Sequence, residues 1–167
     1  MPILLRRWVK AISAAMTLIL VASLAPVVSA AETMNLSFGA PSRTVIDHAP
    51  AGSSVGDLTI TTGDVLDAST GKRIGYYTTN QVTVRADAVT RREIRRVDLS
   101  ISLKEGSIFA VALIRATEGA PPSQTMRFAV VGGTGDYDGA RGSLTHGPVA
   151  NQANFAVQIR LIAVPRD

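Results

Sequence analysis

The sequence has no cysteine and little histidine, and both shortages limit the chemistry open to it. Cys is 0 and His is 2 among 167 residues. Without cysteine the chain cannot build a disulfide scaffold, use a thiolate nucleophile or ligate a metal through sulfur. With two histidines it cannot assemble a site from several imidazoles. Charged residues make up 18% and hydrophobic residues 46%, which is typical of a globular chain rather than a disordered one.

One long hydrophobic run is present, and it stands near the N-terminus. Three basic residues precede the uncharged stretch 11–25, and Val28-Ser29-Ala30 follows as a small-x-small cleavage pattern. The stretch has about 15 residues, which is short of the roughly 20 that a membrane-spanning helix needs. We therefore predict a secretory signal peptide over residues 1–30 and a secreted or periplasmic protein. The alternative is an uncleaved N-terminal anchor.

The leader also accounts for most of the basic character of the chain. Removing residues 1–30 takes away three of the 17 basic residues and none of the 13 acidic ones, so the formal charge of +4 falls to about +1. The attraction to nucleic acid that a basic protein would have is thereby lost. We predict no nucleic-acid partner and no membrane partner after cleavage. Residues 31–167 are expected to form one domain, with an N-terminal strand and loop at 31–56 and a β-barrel domain at 57–167.

Beyond the leader the sequence has the pattern of an all-β protein. Short β-branched or alternating runs are separated by turn residues, and no helical period is sustained. Residues 96–103 alternate cleanly, whereas residues 108–116 are apolar on both faces and should be covered on both sides. Seven or eight strands at this spacing predict a sandwich or a closed barrel. The predicted strands span residues 33–38, 58–66, 73–84, 96–103, 108–116, 125–131, 142–145 and 154–163. The loop after the first of them has room for a further short strand at 43–46.

Several motifs are present, and none of them alone indicates a function. The glycine-rich segment 131–142 lacks the spacing and the following helix of a dinucleotide turn. The G-x-S-x-G match at 52–56 lies in a loop, whereas a nucleophile elbow needs a larger α/β domain. The charged segment 91–96 is interpreted as a solvated connection between strands. His48 and His146 lack a third ligand, so no metal site is predicted.

Two pairs of segments nevertheless resemble a known family. Residues 56–58 (GDL) with 70–75 (TGKRIG) resemble the first hairpin of plant allene oxide cyclases. Residues 128–137 (FAVVGGTGDY) with 139–142 (GARG) resemble the signature turn that those cyclases share with dirigent proteins. The resemblance implies an eight-stranded antiparallel β-barrel with an interior cavity, commonly assembled as a homotrimer. It implies no cofactor.

The resemblance also implies candidate site residues. In the dirigent turn an acid is proposed to assist proton transfer and an arginine to orient the substrate, and Asp136 and Arg141 match these positions. The acid that the plant cyclases carry in their first strand has no counterpart at 33–38, and the asparagine of their second strand has none at 62–64. Asp136 and Arg141 are therefore the catalytic candidates. The candidate ligand-binding residues are Thr59, Thr61, Asp64, Tyr76 and Gln81.

Which faces of the strands line the lumen stays open at this point. Alignment with the cyclases turns Thr59 and Thr61 inward, whereas hydrophobic alternation favours Leu58 and Ile60. Tyr76 and its neighbour Tyr77 point to opposite faces, so only one of them can enter the lumen.

The sequence thus supports two hypotheses about function. The first is an exported barrel that binds a hydrophobic small molecule in its lumen and isomerises or cyclises it by fixing a reactive conformer. The alternative is a dirigent-like barrel without chemistry of its own, which binds a ligand or serves as a structural or interaction module.

Overall fold

The computed structural model describes residues 32–120, 123–149 and 154–162. The predicted signal peptide at 1–30 lies outside these residues, as does the last residue of the predicted strand 154–163. The regular elements are β1 (Glu32–Phe38), β2 (Ser42–Ile46), β3 (Leu58–Asp67), β4 (Arg73–Asp87), β5 (Arg92–Leu103), β6 (Gly106–Thr117), β7 (Met126–Gly133), a 3₁₀ turn (Gly135–Tyr137), β8 (Arg141–Pro148) and β9 (Phe155–Ile162).

The strands form one antiparallel sheet that closes on itself. Their order is β1-β9-β8-β7-β6-β5-β4-β3-β2, and β1 also pairs with β3. β1 lies against the last residues of β3, and β2 lies against its first five, so β1 and β2 occupy one position in the sheet. The nine strands therefore make an eight-stranded barrel, and the predicted fold is confirmed.

The break between β1 and β2 has a local cause. The amide of Gly39 still donates to the carbonyl of Asp64 at 2.9 Å, but Pro41 has no N–H to continue the ladder. β2 therefore resumes the pairing at Ser42, with Ser42 opposite Thr62.

Alternate side chains of each strand point into the barrel and form its core. On β5 the inward series contains Val97, Leu99 and Ile101, as the alternation predicted. β6 turns Ile108 inward and Leu113 outward, where Leu113 is 72% exposed. The largest fully buried side chains are Phe38, Leu99, Ile101, Ile108, Leu144, Ile159, Val65, Val97 and Thr83.

The start of β5 differs from the prediction and corrects one interpretation. β5 begins at Arg92, four residues before the predicted start, so most of segment 91–96 belongs to the strand. Glu93 and Arg95 share the inward face with Val97 and are buried. The interpretation of this segment as a solvated connection is therefore wrong, because the period-two pattern continues backwards through its charged residues.

Candidate active site at the barrel mouth

The lumen has two unlike ends. At the end that carries the β5–β6 turn, the ring of Tyr77 and the side chains of Ile101 and Ile108 are buried and fill the centre. At the other end the β6–β7 ladder stops after Val111, and the rest of β6 pairs with β5 alone among the described strands. The hydrogen-bonded wall between β6 and β7 therefore ends there, and we call this end the mouth. Its inward residues are Thr59, Thr61, Thr79, Gln81, Thr83, Glu93 and Arg95 on one side and His146 and Phe155 on the other.

A buried ion pair lies in the mouth. Glu93 and Arg95 are two residues apart on β5, so their side chains leave the same face of the strand. Arg95 Nε donates to Glu93 Oε2 at 2.5 Å, and Arg95 Nη2 contacts the same oxygen. The side chain of Glu93 is only 2% exposed and that of Arg95 only 8%. Within the described residues, Glu93 is the only buried acid and Arg95 the only buried base.

The loop between β2 and β3 covers this pair. Ser53 Oγ donates to Glu93 Oε1 at 2.6 Å, so each oxygen of the carboxylate has a partner. The loop is held in shape by Asp57, whose carboxylate accepts from the amides of His48 and Ser54 and from the Ser54 hydroxyl. The Ser54 hydroxyl is therefore occupied within the loop, and the G-x-S-x-G match at 52–56 forms no nucleophile elbow.

The wall formed by β3 and β4 is lined with hydroxyl and amide groups. Thr59 lies opposite Gln81 across the ladder, and Thr61 lies opposite Thr79. Thr59 and Thr79 are buried, whereas Thr61 and Gln81 are half-buried. Gln81 Nε2 donates to Thr79 Oγ1 at 3.3 Å. The inward face of β3 is thus the one that carries Thr59 and Thr61.

Aromatic rings continue from the centre to the opposite wall. Phe38 stacks on Tyr77 with ring centroids 4.0 Å apart and planes at 10°. His146 lies 5.4 Å from Phe38 and 4.9 Å from Phe155, again between centroids. Gly63 makes the first contact possible, since a Cβ at that position would lie 2.6 Å from Tyr77 Cε1. The rings together form an aromatic surface, in which the His146 ring is tilted by 40° to Phe38 and by 35° to Phe155.

Burial changes the acid–base behaviour of two of these rings. Desolvation lowers the pKa of His146 to about 4, so the imidazole is neutral at physiological pH. Desolvation also raises the pKa of Tyr77 to about 12. Neither imidazole nitrogen of His146 has a hydrogen-bond partner within the described residues. Since no fully buried polar side-chain atom in those residues lacks a partner, both nitrogens keep some exposure to solvent.

The other predicted site residues lie outside the lumen. Asp64 is exposed and pairs with Arg73, with 2.7 Å between Oδ1 and Nε. Tyr76 is 56% exposed and lines a depression of about 530 Å³ on the outer surface. Asp136 lies in the exposed 3₁₀ turn, and exposed Arg141 donates from Nη1 to the carbonyl of Ala140 at 2.8 Å. The structure therefore brings Thr59, Thr61 and Gln81 together but places these four elsewhere.

The sequence reasoning missed the charged members of the site. Glu93, Arg95 and His146 all fall on inward positions of strands, and extending the alternation of β5 by two steps would have found the first two. Ser53 had no comparable signal, because its contact with Glu93 joins residues 40 apart in the chain.

The described part of the chain offers no obvious metal site and no membrane-spanning helix. Among residues 32–120, 123–149 and 154–162, no three His, Cys, Asp or Glu side chains are grouped closely enough to hold a metal ion. In the same ranges no helix is both long and apolar enough to cross a bilayer.

Comparison with known proteins agrees with this architecture. The family model described as allene oxide cyclase barrel like domain matches residues 42–161. The solved structure of a pyocyanin demethylase is similar, with 26% identity, a TM-score of 0.65 and coverage of 78% of this chain and 99% of that one. A search of the curated proteins found no match.

Two further solved structures share the fold. One is a nonspecific heme-binding cyclase that catalyses [4 + 2] cycloaddition during neoabyssomicin biosynthesis, with 14% identity, a TM-score of 0.59 and coverage of 81% of this chain and 66% of that one. The other is an exo-specific intermolecular Diels-Alderase, with 12% identity, a TM-score of 0.57 and coverage of 80% and 98%.

Proposed function

Because the chain belongs to the allene oxide cyclase barrel like family, we propose that it is an exported barrel that binds a hydrophobic small molecule and isomerises or cyclises it. The molecule is bound in the mouth, between the hydroxyl-lined wall and the aromatic rings. The observation that carries the proposal is the Glu93–Arg95 pair, which is buried at the end of the barrel where the β6–β7 ladder stops.

An ion pair in that position has a poor structural justification. Removing two charges from water costs several kcal/mol per ion, and hydrophobic residues of similar volume often stabilise a core as well or better. The turn end of the same lumen is filled by such residues, including Ile101 and Ile108. A charged pair kept where the β6–β7 ladder stops is better explained by a task that needs charge.

The task that fits is stabilisation of charge in a rearranging substrate. Isomerisation and cyclisation shift electron density and protons along a conjugated chain. A carboxylate and a guanidinium at fixed positions can stabilise opposite charges as they develop, and they lose no energy in reorganising. The aromatic and aliphatic walls contribute by holding one reactive conformer. Glu93 would be the acid–base group and Arg95 the electrophilic one.

The similar pyocyanin demethylase supports a small organic substrate. Its name says that it acts on pyocyanin, and the 26% identity covers 99% of its chain. A barrel of similar fold therefore acts on a compound of that kind.

The second candidate function is ligand binding without chemistry. Both oxygens of Glu93 are already hydrogen-bonded, to Ser53 and to Arg95, and this observation favours a structural role for the carboxylate over an acid–base one. Three predictions from the sequence remain predictions: that the protein is exported, that it forms a homotrimer, and that Asp136 and Arg141 have catalytic roles.

The test begins with compounds that the purified protein retains, identified by mass spectrometry, and with a thermal-shift screen of hydrophobic molecules. Any ligand found is then incubated with wild-type protein and with Glu93→Gln. Asp64→Asn is the matched control, because Asp64 also pairs with an arginine but on the outer surface. We expect product from wild type and the control, and bound but unchanged ligand with Glu93→Gln. Turnover that survives in Glu93→Gln would favour the non-catalytic role for this pair. A protein that retains and binds nothing hydrophobic would contradict both candidates.

A further inference from the structure

Arg95 has an unused donor in the mouth. Its Nε and Nη2 both contact Glu93 Oε2, whereas Nη1 has no hydrogen-bond partner within the described residues. No fully buried polar side-chain atom in those residues lacks a partner, so Nη1 keeps some exposure to solvent. The side chain as a whole is only 8% exposed, so this donor is largely shielded from bulk water.

The surroundings of this donor favour an anion. The cross-strand neighbours of Arg95 are Thr83 on β4 and Ile114 on β6, so neither adjacent strand supplies a second carboxylate there. Glu93 is the only buried acid of the described chain and engages the opposite edge of the guanidinium. A guanidinium is planar and matches the oxygens of carboxylates and similar anions, and its attraction to them grows where water is excluded.

The opposite wall indicates the chemical character of the ligand. Across the barrel from β4 and β5 lie β8 and β9, which carry His146 and Phe155. Their rings, with that of Phe38, present an aromatic surface whose neighbouring rings are tilted by 40° and 35°, and an aromatic ligand gains from offset or edge-to-face contact with such rings. The neutral imidazole adds no positive charge to this wall, so Arg95 is the one buried cation that the described residues offer.

We propose that the mouth selects aromatic ligands that carry an anionic oxygen, and that Nη1 of Arg95 binds this oxygen while Glu93 balances the guanidinium when no ligand is present. The inference rests on the proposed binding function and adds the substrate class. Glu93 then competes with the ligand, because its negative charge offsets the positive charge of Arg95 that the anionic ligand binds. Removing that charge strengthens the binding of anions and leaves neutral ligands unaffected.

Two fluorescent probes test this directly, because they share one aromatic body. 8-Anilinonaphthalene-1-sulfonate carries an anionic oxygen group, and N-phenyl-1-naphthylamine lacks it. We expect the wild-type protein to bind the anionic probe about tenfold more tightly, the ratio that one hydrogen bond to a charged group supplies. Glu93→Gln increases this preference, and Arg95→Gln abolishes it without weakening the neutral probe.

Controls separate this selectivity from loss of structure. Arg73→Gln removes an exposed arginine that also pairs with a carboxylate, and it leaves the preference unchanged. The double variant Glu93→Gln/Arg95→Gln keeps the buried site neutral and also loses the preference, with a native circular dichroism spectrum. Equal affinities for the two probes, or a preference that survives Arg95→Gln, would overturn the inference and leave the proposed binding function intact. Failure of both probes to bind would contradict both.

Discussion

His146 makes the stability of the barrel depend on pH in a range where few other groups titrate. Its imidazole lies between Phe38 and Phe155, and burial lowers its pKa from 6.5 to about 4. The unfolded chain therefore binds a proton near pH 6.5 that the folded barrel accepts only near pH 4. The stabilisation is complete above about pH 6.5 and is lost as the pH falls towards 4. A shift of one pKa unit corresponds to about 1.4 kcal/mol, so the fall from 6.5 to about 4 corresponds to about 3 kcal/mol of unfolding free energy.

The measurement is urea unfolding at several values between pH 7.5 and pH 4.5, followed by circular dichroism. His146→Phe keeps a ring between its neighbours but cannot titrate, and we expect it to lose most of the roughly 3 kcal/mol decline that wild type shows. Below this range Asp67 begins to contribute, because hydrogen bonds from Ser69 and Thr70 lower its pKa to about 2. His48→Asn is the control, since His48 is the other histidine and is exposed. Identical pH profiles for wild type and His146→Phe would refute the reasoning.

Three further predictions test the packing of the barrel. Leu144→Ala should cost about 2–5 kcal/mol of unfolding free energy, whereas Leu113→Ala on the outer face should change it by no more than about 0.5; equal effects would contradict the assigned faces. Gly63→Ala should cost about 1–3 kcal/mol, because the new methyl group would collide with a buried tyrosine ring; a neutral result in thermal unfolding would contradict that contact. Arg95→Met should cost about 3–5 kcal/mol of unfolding free energy, because it leaves the buried charge of Glu93 uncompensated. Adding Glu93→Gln removes that charge and should recover much of the loss. Additive losses of the two substitutions in urea unfolding would argue against a coupled pair.

Most of the fold could be predicted from local patterns. The alternation over Val97, Leu99 and Ile101 predicts the inward face of β5. The β3–β4 turn is equally local, because Asp67 accepts hydrogen bonds from the amides of Ser69 and Thr70. These signals are local, because a strand with one buried face repeats every two residues and a turn depends on its own side chains. Closure into a barrel was implied by the family resemblance and could not be derived from the pattern, which suited a sandwich equally well.

The candidate site was harder to predict, because its charges run against the rule for buried positions. Arginine and glutamate are rarely buried, so Glu93 and Arg95 were interpreted as solvated. Their burial depends on each other and on Ser53, which lies far away in the sequence. The catalytic candidates Asp136 and Arg141 rested on the resemblance alone, and the structure places both on the outer surface.

The central claim is that the ligand site of this barrel is its mouth, and amide chemical-shift mapping tests it most directly. A ¹⁵N-labelled sample is titrated with N-phenyl-1-naphthylamine, and perturbed residues are compared with the structure. The account predicts that the largest shifts cluster at Thr61, Gln81 and Arg95, on the inward face of the mouth. Shifts confined to the outer surface around Asp136 and Arg141, or saturable binding without shifts at the mouth, would contradict it.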